Sequence, residues 1–316
     1  MVSTPIAFTI TGLEALAGSQ QIVGWCFPPA STPSSFSRPL WMFLSPGGGE
    51  ECHYFHLEIE GYEAEAYSFA SFYANRGIGV VVIDLPGTGE SRWPCDGSLL
   101  TLDLIAQANH QAVCQMRERL RQGTLVAHIL PVEQVVIAGF GRGGLCVVQQ
   151  ALYKSFDLLG NLGTPCGAFN RSGNPDTLAN LFHIENGYAT IQRKAVTSPL
   201  VYMEDVPLIV RQTYEHYDTA APISLLAVGQ PGTLAQYAQH VDIPTLLIFG
   251  ERDIALAPRQ EPHFYTSTKD CTLYEQPGAA HHHNLASTRH ELWKYIYNWL
   301  WAVHPARAVA SYTRES

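Results

Sequence analysis

The stretch that most constrains this chain is Val135-Val136-Ile137-Ala138-Gly139-Phe140-Gly141-Arg142-Gly143-Gly144. An uninterrupted apolar, β-branched run marks a strand covered on both faces. Four glycines among the next six residues require a tight turn in which backbones approach closely and a Cβ is poorly tolerated. Apolar residues then resume at helical spacing from Gly143 to about Tyr153. A buried strand that turns sharply into a helix is the repeating unit of a mostly parallel sheet with helices on both faces.

Composition agrees with that architecture. The 316 residues are 46% hydrophobic and 15% charged, which is enough apolar material for one large domain carrying an insertion. A formal net charge of −9 argues against nucleic acid or an anionic membrane surface as the main partner. No basic, then apolar, leader opens the chain, and no apolar run is long enough to span a bilayer. The expectation is a cytoplasmic protein. Cys26, Cys52, Cys95, Cys114, Cys146, Cys166 and Cys271 are scattered and form no C-x-x-C pair. They read as buried thiols of a reducing compartment, with neither disulfides nor a structural zinc site. Cys146 lies on the helix after the glycine turn and reads as core packing.

Strand-like and helix-like segments alternate along the sequence. Ile6–Ile10 and Gln21–Phe27 suggest an opening hairpin, followed by a Gly/Pro/Ser-rich connection through Pro39. Leu40–Leu44, Ile78–Ile83, Thr245–Phe249 and Cys271–Glu275 read as further strands. Helices are expected over Tyr62–Asn75, over Leu99–Arg121 with Ser98 as cap, and after a capping box of Thr288 and Glu291. Between about Thr164 and His240 the rhythm breaks, and Phe169, Phe182, Tyr188, Tyr202, Met203, Tyr214 and Tyr217 accumulate. An insertion there lies above the carboxyl ends of the strands, where open α/β sheets bind ligands. The division expected is a core over 1–163, a helical cap over 164–240, the rest of the core over 241–304, and a flexible tail over 305–316. An apolar cap suits a hydrophobic small molecule.

Five motifs in order along the chain resemble those of the α/β-hydrolase superfamily, in its capped, single-domain members. They are Pro46-Gly47-Gly48-Gly49, Asp84-Leu85-Pro86-Gly87-Thr88-Gly89-Glu90-Ser91, the elbow Gly139–Gly144, Gly250-Glu251-Arg252-Asp253 and Pro277-Gly278-Ala279-Ala280-His281. The resemblance covers nearly everything from Leu40 to Leu300. It implies an α/β-hydrolase fold, with Asp253 holding His281 as the base and His282 or His283 as the fallback base. It also implies an oxyanion hole built from the N–H groups of Gly48 and Arg142. Pro46 stands where the family commonly has a histidine. Substrate contacts are expected from Gly47, Phe140, Phe182, Tyr188, Tyr202 and Tyr214. No cofactor or metal is expected. The partners expected are a hydrophobic small-molecule substrate and, as an open alternative, a second copy in a homodimer, with neither nucleic acid nor membrane.

The family's nucleophilic serine falls at Gly141, which has no side chain. Three readings follow. The chain is a hydrolase of esters, lactones or C–C bonds whose serine is replaced. Alternatively, it is a naturally serine-free enzyme using His281 and Asp253 for aldol, retro-aldol, cyclisation or elimination chemistry. Or it is a non-catalytic binding protein, as the N-myc downstream-regulated family resembles in lacking the same serine. Ser45 and Ser91 are poor substitutes, because neither lies where the elbow presents an oxygen.

Overall fold

The computed structural model describes residues 3–14, 16–30, 39–91, 93–127, 135–170, 182–191 and 199–304. The tail 305–316, most of the Gly/Pro/Ser-rich connection and parts of the expected cap lie outside the described residues.

The opening hairpin is present: β1 (Thr4–Ile10) pairs antiparallel with β2 (Gln20–Phe27). The other strands of the main sheet are β3 (Leu40–Ser45), β4 (Gly79–Ile83), β5 (Val136–Gly141), β6 (Leu158–Leu162), β10 (Thr245–Arg252) and β11 (Cys271–Ala280). They form an eight-stranded sheet in the order β1-β2-β4-β3-β5-β6-β10-β11. Every pairing from β4 to β11 is parallel. The fold is therefore α/β with a mixed, mostly parallel sheet.

Both faces of the sheet are buried at its central strands β3 to β6, which explains why these read as largely continuous apolar runs. Alternation within each strand sends side chains to opposite layers. Trp41, Phe43, Val81, Ile83 and Ile137 pack beneath α2 (Leu102–Gln122) and α3 (Leu145–Tyr153). Leu40, Met42, Val80, Val82 and Phe140 face α1 (Phe69–Ala74) and a C-terminal helix, Arg289–Ala302. Two glycines show how tightly the strands bed against aromatic rings. A Cβ on Gly160 would lie 2.1 Å from the Phe140 ring, and one on Gly139 would lie 2.5 Å from Phe156.

Local capping differs from the sequence-based expectation in three places. The helix expected from Tyr62 is regular only over Phe69–Ala74, where Ser68 accepts the Ser71 N–H, and turns precede it. Thr101, not Ser98, caps α2 by accepting the Leu104 N–H. Ser98 instead sits in a short 3-10 turn capped by Asp96. The Thr288–Glu291 capping box does not form, because the Thr288 hydroxyl donates to the Pro277 carbonyl at 2.7 Å. That bond ties the final helix to β11, so tertiary contact displaces the local cap.

The segment between β6 and β10, expected to be helical, is mixed. β7 (Phe182–Glu185), β8 (Tyr188–Ile191) and β9 (Ala221–Pro222) form a small antiparallel sheet. Among the described residues three short helices accompany it, α4 (Leu208–Glu215), α5 (Ile223–Ala227) and α6 (Ala235–Ala238), and the C-terminal helix becomes α7. No helix among the described residues is long and apolar enough to cross a membrane.

The Gly160–Phe140 contact gives a direct test of the sheet packing. Gly160→Ala is expected to lower unfolding stability by about 2 kcal/mol or more through overpacking. Urea denaturation measures it, and a change within about 0.5 kcal/mol, as at an ordinary surface position, contradicts the packing described.

Candidate active site

Parallel strands place their carboxyl ends side by side, and β10 and β11 are neighbours. Their register shifts between Gly250 and Arg252, so that Arg252 pairs with Ala280. Gly250 permits this irregularity, since a Cβ there would lie 2.6 Å from the Ala279 oxygen. The shift brings Asp253, just past β10, against His281, just past β11. Asp253 Oδ1 lies 2.8 Å from His281 Nδ1. The Asp253 side chain is wholly buried and that of His281 is 16% exposed.

The aspartate is held by four donors. Oδ1 also accepts the Ile254 N–H at 2.6 Å. Oδ2 accepts the Gly250 N–H at 2.7 Å and lies 2.9 Å from His283 Nε2. Burial works to raise the Asp253 pKa, but the charge and hydrogen bond of His281 and the bond from His283 outweigh it. The carboxyl is therefore held well below the usual range. An ionised carboxylate only accepts, so His281 presents Nδ1–H to it and turns its Nε2 lone pair outward. Burial, and then the nearby Arg142 guanidinium, lower the His281 pKa against the opposing pull of Asp253. The imidazole is thus neutral and able to take a proton near neutral pH.

The three consecutive histidines occupy three different environments. His282 is buried and stacks on Tyr202 at 4.7 Å, with the edges of Tyr214 and Tyr54 at 4.9 and 6.2 Å. Two of the expected aromatic contacts, Tyr202 and Tyr214, therefore sit beside the Asp–His pair. Gly163, with φ of 73°, presents bare backbone to the other two rings. A Cβ there would lie 2.7 Å from His283 Cε1 and 2.8 Å from His281 Nδ1.

The elbow meets the first loop closely, as expected. A Cβ on Gly143 would lie 3.4 Å from Gly47 Cα and 3.5 Å from Gly48 N. The positive φ angles of the turn fall at Gly143 and Gly144, whereas Gly141 still belongs to β5 and pairs with Ser45. A Cβ on Gly141 would point at the Ser45 carbonyl oxygen, 2.9 Å away, and at Cys146 Sγ, 3.0 Å away. Because Gly141 continues the strand, the Arg142 N–H donates to the Ser45 carbonyl at 3.1 Å. Here the structure corrects the sequence reading: that N–H is engaged in the sheet and is not offered to a ligand. The Gly47 N–H is likewise taken, by Glu50 Oε2 at 2.9 Å. Gly48 is the expected oxyanion donor whose N–H carries no hydrogen bond among the described residues.

Arg142 contributes its side chain instead. Its guanidinium is buried, pairs with Glu50 Oε1 and lies 4.4 Å from the centre of the Tyr54 ring. Sequence reasoning missed Glu50 and Tyr54, because a single carboxylate or phenol in a loop carries no periodic signal. It also listed His283 only as a fallback base, not as a second partner of Asp253.

Two expected substrate contacts take packing roles in the structure. Phe140 is fully buried in the α1/α7 layer, on the opposite side of β5 from Gly141, as strand alternation requires. Tyr188 turns its hydroxyl to the Pro94 carbonyl at 2.6 Å and fixes the small sheet to the 94–98 loop. Phe182 lies half-buried in that same small sheet, paired with Ile191. Ser45 is buried against Cys146, whose thiol burial pushes up to about 12. Ser91 accepts the Val23 N–H. None of the three is available as a nucleophile. No group of three or more His, Cys, Asp or Glu among the described residues is arranged to hold a metal ion.

The Glu50–Arg142 pair predicts strong coupling. Glu50→Ala leaves a buried guanidinium uncompensated and is expected to cost about 3–5 kcal/mol. The double variant with Arg142→Met should lose less than that. Chemical denaturation of the unaltered protein, both single variants and the double variant decides it, and simple additivity contradicts the pairing.

No protein-family model and no curated protein matches the sequence. Solved structures do match. A thermophilic esterase from Thermogutta terrifontis superposes with a TM-score of 0.65 at 15% identity, covering 95% of this chain and 99% of that one. The peroxisomal alpha-beta-hydrolase Lpx1 from Saccharomyces cerevisiae gives 0.60 at 12% identity, covering 100% and 98%. The alpha/beta hydrolase GrgF from Penicillium sp. sh18 gives 0.59 at 15% identity, covering 96% and 98%. Together with the sheet order, these likenesses establish that the chain has the α/β-hydrolase fold.

Proposed function

We propose that this chain is an enzyme of α/β-hydrolase fold that acts on a hydrophobic carbonyl compound by acid–base chemistry at His281, without a covalent intermediate on residue 141. The observation that carries this reading is the contrast between an intact Asp253–His281 pair and a tight position 141, where an added Cβ would lie 2.9 Å from the Ser45 carbonyl oxygen. A pair built only to fill space has no reason to keep an oriented imidazole partly open to solvent. A replaced serine, in turn, would be expected to leave space where its Cβ had been. The Ser45 carbonyl and Cys146 Sγ narrow that space, to 2.9 and 3.0 Å from such a Cβ.

In this mechanism His281 Nε2 removes a proton from carbon or oxygen of the substrate, and Asp253 stabilises the imidazolium that forms. The Gly48 N–H donates a hydrogen bond to the developing oxyanion, with the buried Arg142 charge close by. Tyr54, Tyr202 and Tyr214 pack as a buried aromatic cluster around His282, next to the Asp–His pair. Aldol, retro-aldol, cyclisation and elimination reactions all need this set and no serine.

A second reading, hydrolysis of an ester, lactone or C–C bond with the nucleophile replaced, draws on the same Asp–His geometry. The two readings separate on Gly141→Ser. Serine-free chemistry predicts a destabilised variant, by about 1–3 kcal/mol from overpacking, that neither hydrolyses aryl esters nor takes up a fluorophosphonate. Ester turnover together with covalent labelling favours the hydrolase.

The acid–base reading also fixes a pH profile. A base must be neutral to act, and burial lowers the His281 pKa from the ordinary ~6.5. Turnover of a carbonyl substrate should therefore persist below about pH 6.5 and fall only as pH drops through the depressed value. His281→Ala should abolish that turnover. A flat profile, or full activity in the alanine variant, rules the mechanism out.

A further inference from the structure

Asp253 is gripped by two imidazoles, of which the proposed chemistry uses one. His283 Nε2 lies 2.9 Å from Oδ2, and both side chains are completely buried. An ionised Asp253 cannot donate, so this contact requires the proton of His283 to sit on Nε2. The other ring nitrogen, Nδ1, is buried and has no hydrogen-bond partner among the described residues. A proton there would be an unsatisfied buried donor, whereas a bare lone pair is tolerated at lower cost. One tautomer is thereby selected, and its basic nitrogen faces no solvent and no ligand.

We propose that His283 is a positioning residue, whose Nε2–H locks the far oxygen of Asp253 and so sets both the orientation and the proton affinity of His281. The proposal rests on the reading of Asp253 and His281 as the working pair. Geometry supports it from three directions. Oδ1 is shared by His281 and the Ile254 N–H, so this oxygen alone does not prevent the carboxylate from pivoting. Oδ2 is fixed by the Gly250 N–H on one side and His283 on the other. The His283 ring is itself immobilised, because its backbone carbonyl accepts from Gln276 Nε2 at 3.3 Å and its Cε1 is pressed against bare backbone at Gly163.

A donor on Oδ2 draws negative charge from the carboxylate and weakens its hold on the His281 proton. Without that donor, Asp253 becomes a stronger acceptor and the imidazolium form of His281 gains. The other charged or titratable groups packed against the cluster are Arg142 with Glu50 from the elbow side, Tyr54 from the first loop, Tyr214 from α4, and the adjacent His282. All of them remain in place in the comparison below.

The test compares the whole chain with His283→Leu, which removes the donor, and His283→Gln, which keeps an N–H within reach. The His281 ring is titrated by proton–nitrogen NMR without any ligand. His283→Leu should raise the His281 pKa by about one unit, and His283→Gln should return it to within about a third of that shift. Equal His281 titration in all three folded proteins overturns the proposal, as does an equal shift in both variants. Should the leucine variant fail to fold, the unaltered protein still decides. Its spectrum should place the His283 proton on Nε2, and a proton on Nδ1 overturns the assignment. These readouts need no turnover. A shift seen in a protein that converts no carbonyl substrate therefore counts against the proposed function alone and leaves the positioning role standing.

Discussion

The carboxylate of Asp253 is the interaction on which the site depends. An isolated charge buried among apolar side chains is costly, and the fold meets that cost with four hydrogen-bond donors. Each donor has a different structural origin. Two are backbone groups at the end of β10, one is an imidazole just past β11, and one is an imidazole in the turn before α7. The register shift between β10 and β11, the bare backbone at Gly163 and Gly250, and the order of three histidines all serve that one buried charge. The bond from Asp253 in turn fixes the tautomer of His281.

A second buried charge organises the opposite wall. Arg142 and Glu50 neutralise each other between the elbow and the first loop, and Glu50 also takes the Gly47 N–H. This pair rigidifies the loop that approaches the turn. It also places positive charge where it disfavours protonation of His281. The absent side chain at 141 belongs to the same arrangement. With no Cβ, β5 extends one residue further against β3 and the Arg142 N–H completes that ladder. The elbow thus gives up one ligand-facing N–H and gains a continuous strand.

Much of this was legible in the order of residues. Continuous apolar runs located β3, β4, β5 and β10, because strands covered on both faces favour apolar side chains throughout. Glycines at 139–144 located the turn, and the spacing of Asp253 and His281 after two buried strands located the pair. Less legible were features that depend on a distant partner. Thr288 looks like a cap and instead binds Pro277. Tyr188 looks like a pocket aromatic and instead ties a small sheet to Pro94. Phe140 neighbours the elbow in sequence but faces the other layer of the core.

The sequence by itself indicated a mostly parallel α/β sheet through local periodicity and turn chemistry, and its resemblance to α/β-hydrolase motifs pointed to Asp253 and His281. Only the tertiary structure decided that His283 shares the aspartate, that Glu50 neutralises Arg142, and that position 141 is crowded by Ser45 and Cys146. The physical reason is the same in each case. Hydrogen bonds, ion pairs and steric room are set by distances of 3 to 4 Å between groups far apart in the chain. No periodicity along one strand or helix encodes them.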